Sequence, residues 1–182
     1  TALIMLVSGE NPINAFQALL AGALGSKTAI ATTLGKTVPC LFVGRACAFS
    51  NKAGLFNIGC EGQLYIGALT ATATALAMQG LPRFLVILVS FLTGMMSGAL
   101  VGGFNGLLKA KLNINEVLVA IMLNYIMKFF ASYCVHGPMK DPKSKVMQSP
   151  SIGQEYMLTK ILPKSQLTTA LILGLILAAL LY

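Results

Sequence analysis

The chain has 182 residues, 56 % of them hydrophobic and only 10 % charged, with a mean hydropathy of +0.79. So apolar and so weakly charged a composition excludes an ordinary water-soluble domain of this size. The net charge of +8 comes from basic residues scattered at segment ends and in one loop, without the aromatic-studded basic face that would imply nucleic acid as a partner.

Taken in chain order, residues 1–7 read as the tail of a first membrane span, and Ser8 to Pro12 form a polar turn. An apolar stretch over 15–24 follows, closed by Lys27. It is shorter than the roughly 20 residues a bilayer core requires, so it is expected to lie along the membrane surface or to re-enter. A first full span is predicted over residues 29–50, interrupted by Lys36, Pro39 and Arg45. Gly35, Lys36 and Thr37 imitate the end of a phosphate-binding loop, but Ile30 stands where that motif needs glycine, so no ATP site is expected here.

The second span, residues 53–79, has Glu61 as its only charge and carries Gly54, Asn57, Gly59, Gly62 and Gln63 in an otherwise apolar run. Clustered glycines weaken a helix. In lipid, irregular backbone survives only where protein or a water-filled cavity satisfies it. The expectation is a broken helix beside a pathway, with Asn57 and Glu61 on one face if the helix continues. A carboxylate inside the membrane is costly enough to mark Glu61 as a candidate functional group; its structural alternative is a carboxyl that hydrogen-bonds across helices, or stays protonated, and never meets a substrate.

A third span, residues 84–108, is uncharged, and Gly94, Gly98, Gly102 and Gly106 recur in it at every fourth position. That spacing stacks them on one face and predicts close backbone packing of a neighbouring helix. Lys109 to Glu116 is a short polar joint in which Asn113 or Asn115 could cap the next helix. The fourth span, residues 117–135, contains Asn124, Tyr125 and Lys128. Residues 137–164, rich in proline and lysine, are expected to form an extramembrane loop, and a fifth span begins near Leu167. The fold class is therefore an all-α, polytopic transmembrane helical bundle with at least four crossings. Because the chain opens on Thr1 and closes at Tyr182 within apolar runs, it reads as a fragment of a longer protein, a single domain over 1–182.

The four cysteines, Cys40, Cys47, Cys60 and Cys134, form no CxxC pair, and the first three lie in apolar stretches, where Cys acts as a small hydrophobe. His136 is the sole histidine, so neither a disulfide framework nor a metal site is expected, and no cofactor is implied.

Two separated motifs carry a family likeness. The stretch Ala53-Gly-Leu-Phe-Asn-Ile-Gly-Cys-Glu-Gly-Gln-Leu-Tyr-Ile-Gly-Ala68 is followed by Gly106-Leu-Leu-Lys-Ala-Lys-Leu-Asn-Ile-Asn-Glu-Val and then Ile121-Met-Leu-Asn-Tyr-Ile126. Together they resemble the permease subunits of bacterial ABC importers for nucleosides and simple sugars, related to ribose and branched-chain amino-acid permeases.

The resemblance implies a multi-pass subunit of the cell membrane, not itself an enzyme, that moves a solute by alternating access. Its partners would be cytoplasmic ATP-binding subunits, a second identical or homologous permease subunit and an extracytoplasmic solute-binding protein. Asn57, Glu61, Gln63 and Asn124 would then border the solute pathway, offering hydrogen bonds to a solute that has lost its water. Lys109, Lys111, Asn113, Asn115 and Glu116 would lie on the cytoplasmic side, near the ATPase contact.

Residues 137–164 would face outward, although Lys140, Lys143, Lys145, Lys160 and Lys164 against Lys109 and Lys111 would by a plain count invert the orientation. The specificity of the two motifs takes precedence over that count. The alternatives are an ATP-independent channel or an ion-coupled carrier in which Glu61 titrates, and, in a third class, a membrane scaffold that transports nothing.

Overall fold

The computed structural model describes residues 9, 11–142, 144–146, 148–159 and 168–180. The expected remnant of a first span, the start of the fifth at Leu167, and Lys143, Lys160 and Lys164 of the loop lie outside them. All regular elements described are helices. They are α1 (Pro12–Leu24), α2 (Lys27–Lys52), α3 (Cys60–Ala77), α4 (Arg83–Leu112), α5 (Glu116–His136), a 3-10 turn at Gln154–Tyr156, and α6 (Ala170–Leu180). They fall into two compact units, one drawn from residues 1–42 and 158–182, the other comprising Val43–Met157.

In the first unit, α1 starts where the Asn11 side chain accepts the Ile13 N–H at 3.0 Å and Pro12 occupies the first helical position. Its 13 residues rise about 20 Å. That is short of a roughly 30 Å hydrocarbon core. The hydroxyl of Thr33 in α2 donates to the Ala23 carbonyl at 3.0 Å, tying the end of α1 to its neighbour. Gly174 of α6 is buried against the Phe42 ring, which a β-carbon there would approach to 3.3 Å. Lys36, Pro39 and Arg45 are all accommodated within α2, which continues through them as a single helix. Gly35 to Thr37 are likewise helical, a setting incompatible with a phosphate-binding loop.

The second unit is built on an antiparallel pair, α3 and α4. Gly67 and Gly94 meet so closely that a β-carbon on either would lie 3.1 Å from the other's carbonyl oxygen. Lipid tails are as apolar as leucine, so van der Waals contact between small residues, not hydrophobic burial, draws such helices together. Hydroxyls add to the seam: Thr70 and Ser97 pair at 2.7 Å, and Thr74 and Thr93 at 3.1 Å. Each interhelical bond of this kind is worth about 0.6 kcal/mol.

Of the expected glycine stripe, Gly94, Gly98 and Gly102 face α3, while Gly106 meets nothing within 4 Å. Large apolar side chains of α4 and α5 point outward. Only 11 % of the most apolar stretch of either helix is buried within the chain, and both are long and apolar enough to cross a bilayer. Such a surface suits lipid and not water.

The joint between α4 and α5 uses both asparagines. Asn113 ends α4 in the left-handed conformation at φ 49°, its N–H returning to the Lys109 carbonyl at 3.0 Å. Asn115 caps α5, its side chain accepting from the Val117 N–H at 2.9 Å. Asn115→Ala should therefore cost about 1 kcal/mol. Thermal denaturation of the full-length protein in detergent would register it as a small fall in midpoint. At the opposite end, the Gly80 N–H donates to the Tyr156 hydroxyl and Arg83 donates to the Met157 carbonyl, each at 2.9 Å. The segment after α5 thus folds back over the α3–α4 turn, away from the joint.

Candidate functional site: a broken helix and its cavity

The expected second span does not run as one helix. α2 closes at Gly54, whose φ of +77° is free to a residue without a β-carbon. The Gly54 N–H bonds the Asn51 carbonyl and the Leu55 N–H the Ser50 carbonyl, both at 3.0 Å, the paired bonds of a Schellman cap. Residues 55–59 are then non-helical, and α3 begins at Cys60. Asn57 accordingly precedes the helix and does not share a helical face with Glu61, contrary to the expectation for a continuous span.

The freed backbone is satisfied by amide side chains. Asn57 Oδ1 accepts the Gly59 N–H at 3.0 Å and sits 3.5 Å from Gln63 Nε2, while its Nδ2 lies 3.4 Å from the Ser50 hydroxyl. Gly59, at the cap position, has no side chain to bond the first turn of α3. That service comes from α5: Asn124 Oδ1 accepts the Gly62 N–H at 2.8 Å, and Asn124 Nδ2 donates to the Ile58 carbonyl at 3.0 Å. One amide thus caps α3 from another helix and fastens the irregular segment. Gly62 permits it, since a β-carbon there would fall 2.9 Å from Asn124 Oδ1.

Between the irregular segment and the glycine face of α4 lies a cavity of about 510 Å³. Asn57, Gln63, Ser50 and Asn105 supply its polar wall, Phe49 and Phe56 its aromatic one, and Gly98, Gly102 and Gly106 make room. The volume falls within the range of small-molecule sites. Glu116 closes one end, ion-paired with Lys109 at 3.0 Å. The Lys109 ammonium, with further help from Glu116's own backbone N–H, holds the Glu116 carboxyl below its ordinary pKa. Glu116 of the joint and Phe56 of the irregular segment therefore border the same cavity.

Glu61 is exposed in the first turn of α3, where a carboxylate is favoured by the helix dipole. It borders a second cavity of about 380 Å³ with Asn57, Cys60 and Cys47. The Cys47 and Cys60 thiols touch at 3.3 Å, both free, joining α2 to the start of α3. No group of three or more metal-binding side chains occurs among the described residues.

Of the residues picked from sequence, Asn57 and Gln63 meet at the larger cavity, Glu61 lines the smaller one, and Asn124 stands behind both as a clamp. Lys111 and Asn113 stay exposed in the joint. Sequence reasoning missed Asn105 and Ser50. The rule that singled out Asn57, a polar side chain in an apolar span, would have found Asn105 as well.

An apolar helical bundle with outward-facing oil, a broken helix and a cavity edged by polar side chains is the make-up of a membrane protein. Residues 29–182 match the family described as branched-chain amino acid transport system / permease component, and the chain belongs to that family.

Among curated relatives, the nucleoside ABC transporter permease protein NupB of Lactococcus lactis is 40 % identical over 75 % of this chain and 37 % of its own length. The guanosine ABC transporter permease protein NupP of Bacillus subtilis is 33 % identical over 100 % of this chain and 52 % of its own. The glucose ABC transporter permease protein of Haloferax volcanii is 33 % identical over 76 % of this chain and 36 % of its own. The chain spans about half the length, or less, of the curated relatives it matches. No solved structure matches it.

Proposed function

We propose that the chain is part of the membrane-spanning subunit of an ATP-driven importer that carries a nucleoside or simple sugar across the cell membrane by alternating access. The observation that carries this reading is the cavity of about 510 Å³ formed where the helix breaks, with uncharged amides on its wall. A polyhydroxylated or base-bearing solute must exchange its water for such hydrogen bonds. Family membership and the two nucleoside permeases among the relatives support the solute class.

In this reading the subunit works as one multi-pass domain with a second permease subunit, ATP is hydrolysed by separate cytoplasmic subunits, and solute arrives from an extracytoplasmic binding protein. Asn57 and Gln63 face the solute, Glu61 flanks them, and Asn124 keeps the wall in shape. The joint containing Lys109, Lys111, Asn113, Asn115 and Glu116 receives the ATPase. The Glu116–Lys109 pair, with Glu116 on the cavity wall beside Phe56, then links that contact to the cavity.

The test is uptake by the full-length complex in liposomes. Transport should require ATP, the ATPase and the binding protein, and Asn57→Ala should lower the rate about tenfold, as expected for losing a hydrogen bond of about 1.4 kcal/mol. Glu61→Gln, which removes the flanking charge, should lower it also. Transport by the permease alone would instead establish a channel or ion-coupled carrier. Unchanged rate and affinity in both variants would remove these residues from the pathway.

A further inference from the structure

The α4 stripe changes character along its length. At Gly94 and Gly98 it is filled by α3, at Gly102 by the Gln63 amide, and at Gly106 by nothing within 4 Å. Asn105 sits where the stripe opens, on the wall of the larger cavity. It is the buried polar residue of this region, 8 % exposed, and its Oδ1 has no hydrogen-bond partner. Burying an amide without a partner is unfavourable, and such groups in folded proteins call for a specific explanation. From Phe84 to Leu108 the helix is uncharged, and Asn105 is its one side-chain amide, the other polar side chains being the hydroxyls of Ser90, Thr93 and Ser97.

We infer that Asn105 is a solute-contacting residue that reads the edge of a heterocyclic base, so that the base and not the sugar is what this cavity discriminates. The inference rests on the importer reading above. An asparagine amide sets a donor and an acceptor side by side, the complement of a base edge that carries both. Phe49 and Phe56 line the same cavity and expose their rings, surfaces on which a flat heterocycle stacks. Glu116 on the same wall is already matched by Lys109, so a neutral solute fits this wall better than a charged one.

The test uses the full-length complex in liposomes, with binding protein saturated by inosine, uridine or ribose in turn. Asn105→Leu, close in size and apolar, should cut transport of a nucleoside about tenfold. The melting temperature in detergent should hold or rise, because an unpaired amide has been removed. Asn105→Asp, which keeps an acceptor and loses the donor, should fall in between.

Unchanged nucleoside transport by Asn105→Leu would overturn the inference, and so would a fall in transport matched by a fall in melting temperature, which would make Asn105 a packing residue. If the wild-type complex carries ribose but neither nucleoside, base reading is wrong while the importer reading stands. If it carries none of the three under any condition, the importer reading itself fails.

Discussion

Asn124→Leu is expected to destabilise the full-length protein by about 2 kcal/mol. Two backbone groups lose their partner at once, the Gly62 N–H of a buried residue and the carbonyl of the more exposed Ile58, held at 2.8 Å and 3.0 Å. Each unpaired group costs about 1–3 kcal/mol. In lipid there is no water to take the side chain's place. Because the same bonds fix residues 55–59, which form a wall of the larger cavity, uptake should fall with stability. Asn124→Asp keeps the acceptor and loses the donor, so its melting temperature should lie between those of the wild type and Asn124→Leu. If Asn124→Leu melted and transported as the wild type does, the clamp would carry no net weight and the broken helix would have to be held some other way.

Gly67→Leu should do comparable damage by a different route. Its side chain would start 3.1 Å from the Gly94 carbonyl oxygen, an atom of the helix backbone that cannot swing aside as a flexible side chain can. Overpacking costs about 1–3 kcal/mol. The upper end applies here, since separating α3 from α4 also stretches the Thr70–Ser97 and Thr74–Thr93 hydroxyl pairs. Gly106→Ala is the matched control: with nothing within 4 Å, it should be neutral or stabilise the helix by up to about 1 kcal/mol. Melting temperatures of the two variants in detergent decide the matter, and equal values would mean that the stripe does not pack as described.

The value of the glycine stripe thus varies with position, although its four members are equivalent by spacing. Periodicity places Gly94 through Gly106 on one face of α4, but it cannot say how far the partner helix extends along that face. α3 begins only at Cys60, so its first turn reaches the level of Gly102 through the Gln63 side chain and leaves Gly106 beside the cavity. A late start for one helix is what creates open space next to the other.

Several features were legible in the residues alone, because each depends on local chemistry. Apolar runs near bilayer length announced α4 and α5. Glycines and amides crowded into residues 54–63 announced a break, since that composition disfavours helix and demands polar partners in lipid. The two asparagines of the joint announced a cap, and Asn115 provides it. The family likeness rested on the same stretches.

Other features depend on groups far apart in the chain, which no local pattern encodes. Asn124 bonds backbone 62 and 66 residues away, so its part as a cap for α3 emerges only when α5 lies against that helix. The sequence by itself determined that these segments are helices suited to lipid and that one of them must break, for hydrophobicity, glycine and chain length are properties of a segment. Only the tertiary structure decided which amides satisfy the broken backbone and which, like Asn105, are left facing a cavity, because hydrogen bonding is settled by which side chains meet across helices.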